Sequence, residues 1–156
     1  MAAKLRAEIK QRKPFGSLEQ EAYLNILRTA DTLGAAIEEV LKPAGLTGTQ
    51  YNVLRILRGA GPAGLACGEV GGRMLTRDPD ITRMLDRLEA RGLVARAREK
   101  RDRRVITTRI TPAGLEILKR LDRPVAEFHR KRLGHLGPRV LGRLVALLEL
   151  ARESLR

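Results

Sequence analysis

Apolar residues recur at three- and four-residue spacing through most of this chain, and Gly or Pro marks each interruption. Tyr23, Ile26, Leu27, Ala30, Leu33, Ile37, Val40 and Leu41 form a first helical stripe. Ser17 with Gln20 three residues later predicts its start, and Pro43 its end. Thr47 and Gln50 repeat that start signal for a second helix with Tyr51, Leu54, Ile56 and Leu57 inward, stopped by Gly59-Ala60-Gly61-Pro62. A third helix over 66–74 carries Gly68, Gly71 and Gly72, each costing about 0.5–1 kcal/mol against alanine. Packing must therefore hold it, and close approach of a neighbouring helix would account for the glycines. Asp78 and Pro79 predict the cap and first position of a fourth helix, with Asp80 favoured by the positive end of its dipole. Ile81, Met84, Leu85 and Leu88 form its inner stripe and Gly92 its stop, which leaves Thr82, Arg83, Asp86 and Arg87 on the outside.

The period then changes. The stretch 93–98, a charged run from Glu99 to Arg104, and the β-branched stretch 105–110 predict a hairpin. Thr111-Pro112 opens a fifth helix carrying Leu115, Leu118, Leu121, Val125 and Phe128, in which Pro124 predicts a kink. Gly134, Gly137 and Pro138 precede a last helix with Leu141, Leu144, Val145, Leu148, Ala151 and Leu155. The order α-α-α-α-β-β-α-α is that of a mainly α fold with a small β-hairpin.

Composition says what such a fold serves. With 31 Lys+Arg against 18 Asp+Glu on 156 residues, the net charge of +13 calls for a polyanionic partner. The 43% hydrophobic content still permits a packed core. Between Arg96 and Arg104 six basic side chains face two acidic ones, the densest positive feature of the body. Residues 1–16 form a basic arm, which Leu5 and Ile9 could render helical on contact. Cys67 is the single cysteine, so no internal disulfide forms and a reducing compartment, the cytoplasm, is expected. No apolar run reaches membrane-spanning length, the start lacks a signal-peptide core, and Leu5 with Ile9 is too small an anchor for a membrane surface.

Three short helices followed by a basic hairpin make a winged helix-turn-helix, whose later helix enters the major groove of duplex DNA. The long helices at either end have apolar faces and no second domain to cover them, so a second copy of the chain is the expected cover.

Four pieces of sequence, in this order and spacing, resemble the MarR family of bacterial transcriptional regulators: LTGTQYNVLRIL from Leu46, ITRMLDRLEARGLV from Ile81, Asp102-Arg103-Arg104, and ITPAG from Ile110. Beyond the basic arm at 1–16, the resemblance implies an N-terminal dimerisation helix at 17–45, a winged DNA-binding domain at 46–111 and C-terminal dimerisation helices at 112–156. It further implies a homodimer on a pseudo-palindromic operator, a repressor relieved by a small-molecule effector held between parts of 23–57 and 115–128. Carried over residue by residue, it puts Thr82, Arg83 and Arg87 toward the major groove, Arg104 at the minor groove, and Asp102 as the residue orienting the wing. Arg83 suits a guanine edge, Arg87 a phosphate, and Lys100, Arg101 and Arg103 positioning contacts.

Other chemistries find little support. Ser17, Ser154, His129 and His135 are scattered, so neither a nucleophile-base pair nor a metal site is expected, and no cofactor. Gly59, Gly61 and Gly64 match a dinucleotide fingerprint in spacing but follow a helix, so they read as a turn. Cys67 reads as an ordinary small residue rather than an oxidant sensor. The rival function is a basic architectural or RNA-binding winged-helix protein without a ligand switch. Asp86, which would repel phosphate, is expected to pair with a neighbouring arginine.

Overall fold

The computed structural model describes residues 4–77, 80–100, 102 and 104–153. The chain divides into two compact units, 1–36 and 37–156.

The first unit holds α1 (Lys4–Glu8), in which Leu5 is buried, and the greater part of α2 (Leu18–Leu41). The arm is thus partly helical on its own. Ser17 Oγ accepts the Gln20 N–H at 3.1 Å, the cap the sequence predicts, while Gln20 Oε1 accepts from Gly16 N–H at 2.7 Å. Leu18, Tyr23, Ile26 and Leu27 are all exposed.

The second unit begins with the last turn of α2 and a single 3₁₀ turn, Lys42–Ala44, closed by Gly45 at φ 64°. Then come α3 (Gly48–Ala60), β1 (Leu65–Ala66), α4 (Cys67–Arg73), α5 (Ile81–Ala90), β2 (Val94–Arg98), β3 (Ile106–Ile110), α6 (Pro112–Leu133) and α7 (Gly137–Glu153). Thr47 and Gln50 form a reciprocal capping box at the start of α3, with bonds of 3.2 and 3.1 Å. Leu54, Leu57, Leu85, Leu88 and Leu118 are fully buried where α3, α5 and α6 meet. Each contributes about 1.5–3 kcal/mol by its removal from water.

Three local expectations change. The hairpin is the greater part of a three-stranded antiparallel sheet of order β1-β3-β2, in which Leu65 pairs with Thr108 and Val94 with Ile110. Gly64, at φ 69°, lets β1 lie against β3, because a Cβ there would strike the Thr108 carbonyl oxygen. Asp80 rather than Asp78 caps α5, its carboxylate accepting the Arg83 N–H at 3.2 Å; Asp78 and Pro79 lie outside the described residues. The local bond decides the cap, and α5 starts at Ile81. The glycines of α4 do not serve close approach, since a Cβ on Gly68, Gly71 or Gly72 would meet nothing within 4 Å. Instead buried Val70 anchors the helix, and Glu69 accepts the Ala66 N–H at 3.0 Å. Pro124 lies inside the span of α6.

Together α3, α4, α5 and the sheet make a winged helix-turn-helix, followed by long helices α6 and α7. No helix among the described residues is long and apolar enough to cross a membrane.

Candidate nucleic-acid interface

The site grows from the two faces of α5. Met84, Leu85 and Leu88 lie in the core, and helical geometry turns Thr82, Arg83, Asp86 and Arg87 outward, where all four are exposed. Arg83 keeps only a loose 3.8 Å approach to Asp80, and its side chain is 70% exposed, so its guanidinium is available to a ligand. Arg83 and Arg87 line one cleft of about 300 Å³ with Thr47, Thr49 and Gln50 from the start of α3. Asp80 and Met84 complete the lining, so two cationic side chains and one carboxylate share this space at the start of a 13-residue helix, a net positive balance that favours an anion. Thr82 Oγ1 stands 3.8 Å from the thiol of Cys67, which is half-buried.

Asp86 and Glu89 would oppose a polyanion on that face, and both are engaged by Arg96 of β2. Arg96 Nε and Nη2 donate to Glu89 Oε2 at 2.9 and 2.7 Å, its backbone N–H to Glu89 Oε1 at 3.0 Å, and its Nη2 also to Asp86 Oδ1. The hydrogen bond from Arg96 holds the Glu89 carboxyl below the usual range, and Arg96 is correspondingly raised. Arg96 therefore ties the wing to α5 and offsets one of the two negative charges of Asp86 and Glu89, while Arg83 and Arg87 add two positive ones to the outer face.

At the wing tip the Asp102 carboxylate accepts the backbone N–H of Arg104 at 2.9 Å, and its carbonyl accepts that of Val105 at 3.0 Å. These bonds shape the turn from which the exposed Arg104 projects. Lys100 is exposed as well, whereas Arg101 and Arg103 lie outside the described residues. Arg109, at the base of the wing, donates to the Pro62 carbonyl at 2.9 Å and to Glu99 at 3.3 Å. Glu99 is held below its ordinary value chiefly by its bond with Thr107.

Sequence reasoning counted Arg96 only as part of the basic hairpin and overlooked Arg91 and Arg109. A signal for Arg96 was present: Asp86 and Glu89 at i and i+3 on an exposed helix face, followed across the Gly92 turn by an arginine.

Comparison with known proteins bears on the same region. A sequence model of the MarR family matches residues 46–106, from the start of the winged domain into β3. The crystal structure of a MarR transcription factor from Planctomyces limnophilus is 45% identical, with 88% of this chain and 99% of that chain covered at a TM-score of 0.68. The chain belongs to the MarR family. A MarR-like regulator from Bacillus cereus, at 21% identity, has the same fold, with a TM-score of 0.80 over 88% of this chain and 98% of its own. Among curated proteins, the HTH-type transcriptional regulator TtmR of Methylorubrum extorquens is 32% identical over 106 residues, which are 68% of this chain and 53% of that relative. The chain thus spans about half the length of TtmR. These MarR relatives are transcription regulators rather than enzymes, in keeping with the scattered serines and histidines of this chain.

Proposed function

We propose that this MarR-family chain is a homodimeric, sequence-specific regulator that binds a pseudo-palindromic operator in the cytoplasm and represses transcription until a small-molecule effector relieves it. The observation that carries the DNA-binding reading is the cleft shared by Arg83, Arg87 and the start of α3, on a face where Arg96 engages Asp86 and Glu89. In this reading Arg83 reads a guanine edge, Arg87 meets a phosphate, and Thr82 touches a thymine methyl or a phosphate. Arg104 enters the minor groove, Asp102 orients the wing, and Lys100, Arg101 and Arg103 add backbone contacts.

Dimerisation takes support from uncovered apolar side chains: Leu18, Tyr23, Ile26 and Leu27 on α2, and Val140, Leu144, Val145, Leu147 and Leu150 on α7. The effector takes support from a cleft of about 500 Å³ between the end of α2 and α6. Val40, Pro43, Ala44, Ile117, Leu121 and Pro124 give it apolar walls, while Glu39 and Arg120 supply polar groups. All of them fall within the segments the resemblance implied.

The test is selection of duplexes from a random pool by the purified protein, followed by titration against unselected duplex at physiological salt with complex mass from light scattering. Two chains per duplex and a preference of about 10³-fold or more are expected. Equal affinity for selected and unselected duplex would favour the architectural reading instead.

A further inference from the structure

We propose that Arg91 hangs the DNA-reading helix on the turn that walls the α2–α6 cleft, so that occupancy of the cleft reaches α5 through this one side chain. The inference rests on reading that cleft as the effector site.

Arg91 occupies the C-terminal cap of α5, its own N–H bonded to the Arg87 carbonyl at 3.3 Å. Its side chain leaves the winged domain's recognition surface and forks onto two main-chain oxygens, Nη1 to Gly45 at 2.6 Å and Nη2 to Ala44 at 3.2 Å. Those carbonyls end the helical run of α2 and its 3₁₀ turn, where unpaired C=O groups concentrate partial negative charge. A guanidinium fork meets them with two charge-assisted bonds fixed in one plane, whereas a lysine ammonium would offer a single rotatable donor centre.

The same turn is a wall of the cleft. Pro43 and Ala44 line it from one side, and Ile117, Arg120 and Leu121 of α6 from the other. The turn has little slack: Gly45 N–H bonds the Lys42 carbonyl at 2.9 Å, and Glu38 Oε1 accepts the Gly48 N–H at 2.6 Å just beyond it. A molecule wedged against Pro43 and Ala44 therefore shifts the carbonyls that hold Arg91.

At the other end of the linkage, Arg83 and Arg87 lie one turn apart on the ten-residue α5, and Arg91 follows four residues later as its C-cap. The first two line the cleft proposed for DNA and the third holds the turn. Because a helix moves as a rigid element, displacement at Arg91 is displacement at Arg83 and Arg87. Arg91 is thus a positioning residue.

The test needs reversible occupancy without knowledge of the effector. In a Cys67→Ser, Arg120→Cys chain, 5,5′-dithiobis(2-nitrobenzoate) attaches a nitrobenzoate group through a disulfide, and dithiothreitol removes it. Binding is measured on a duplex the wild-type protein selects from a random pool. The label should weaken binding about tenfold, within the usual range of coupling between sites, and reductant should restore it. The same label on a Glu116→Cys chain, outside the cleft, controls for added negative charge and should change binding less than about twofold. With Arg91→Ala added to the Arg120→Cys chain, binding should start weaker and respond less than about twofold to the label. Equal loss with and without Arg91 would overturn the linkage while leaving the cleft as an effector site. No loss in either protein would remove both. Should Arg91→Ala lower the thermal unfolding midpoint too far, Arg91→Lys, which keeps the charge without the fork, gives the same comparison.

Discussion

Arg58 of α3 meets Asp122 of α6 end-on, Nη1 to Oδ2 at 3.0 Å and Nη2 to Oδ1 at 2.9 Å, so two parallel bonds join the winged domain to the first of the long C-terminal helices. The bond from Arg58 holds the Asp122 carboxyl below its ordinary value. A carboxyl lowered in the folded state stabilises it above the unfolded pKa, and that contribution fades as pH falls through the folded value. Both groups are partly exposed, with side-chain exposures of 30% and 49%, so solvent screening keeps the gain small. Asp122→Asn should cost up to about 1 kcal/mol at neutral pH. Thermal unfolding from pH 7 downward should show the difference shrinking below about pH 3.9, the ordinary aspartate value. A gap that persists unchanged in acid would mean the charge is not its source.

Gly114, the last residue of the ITPAG phrase, is buried where α6 leaves the wing. A Cβ there would drive into the Leu93 carbonyl oxygen and the Ile110 side chain. Gly114→Ala should therefore destabilise by about 1–3 kcal/mol, the usual cost of overpacking, despite the better helix propensity of alanine. A denaturant midpoint equal to or above that of the wild type would refute this.

Thr108 lies fully buried in β3 with its Oγ1 lacking a hydrogen-bond partner. The hydroxyl loses its hydration on folding and recovers nothing, so Thr108→Val, nearly the same in shape, should raise stability by about 1 kcal/mol. Urea unfolding gives the value directly, and a lower midpoint would show that the hydroxyl does find a partner.

Arg83 and Arg104 should fail differently when truncated. Arg83→Ala should cost about 1–3 kcal/mol on the selected duplex and relax its preference there. Arg104→Ala should weaken binding to every duplex and reduce the salt slope by about 1. Salt titrations on selected and random duplexes separate the two, and equal losses for Arg83→Ala on both would make it a backbone contact.

Where the chain is helical or extended was readable from the sequence because the signals are local. Thr47 and Gln50 cap the helix they precede, Thr111-Pro112 opens the one it precedes, and the change of apolar period at Leu93 marks the wing. Asp86 was readable in the same sense, as a carboxylate awaiting an arginine. The two-residue β1 was not, since Leu65 and Ala66 become a strand only by pairing with β3. Nor was the reason for the α4 glycines: their helix is placed by Val70, and nothing crowds Gly68, Gly71 or Gly72.

What the sequence alone determined, then, is the succession of elements and the excess of positive charge, because caps and periodicity act over three or four residues and charge simply adds. Only the tertiary structure decided which arginines remain available. Among the described residues Arg83 and Arg87 have no strong partner, while Arg96 is held by Asp86 and Glu89, Arg58 by Asp122, and Arg91 by two carbonyls more than forty residues away in sequence. A guanidinium carries the same charge wherever it occurs. Whether that charge is spent inside the fold or offered to a partner depends on which oxygens the folded backbone brings within reach.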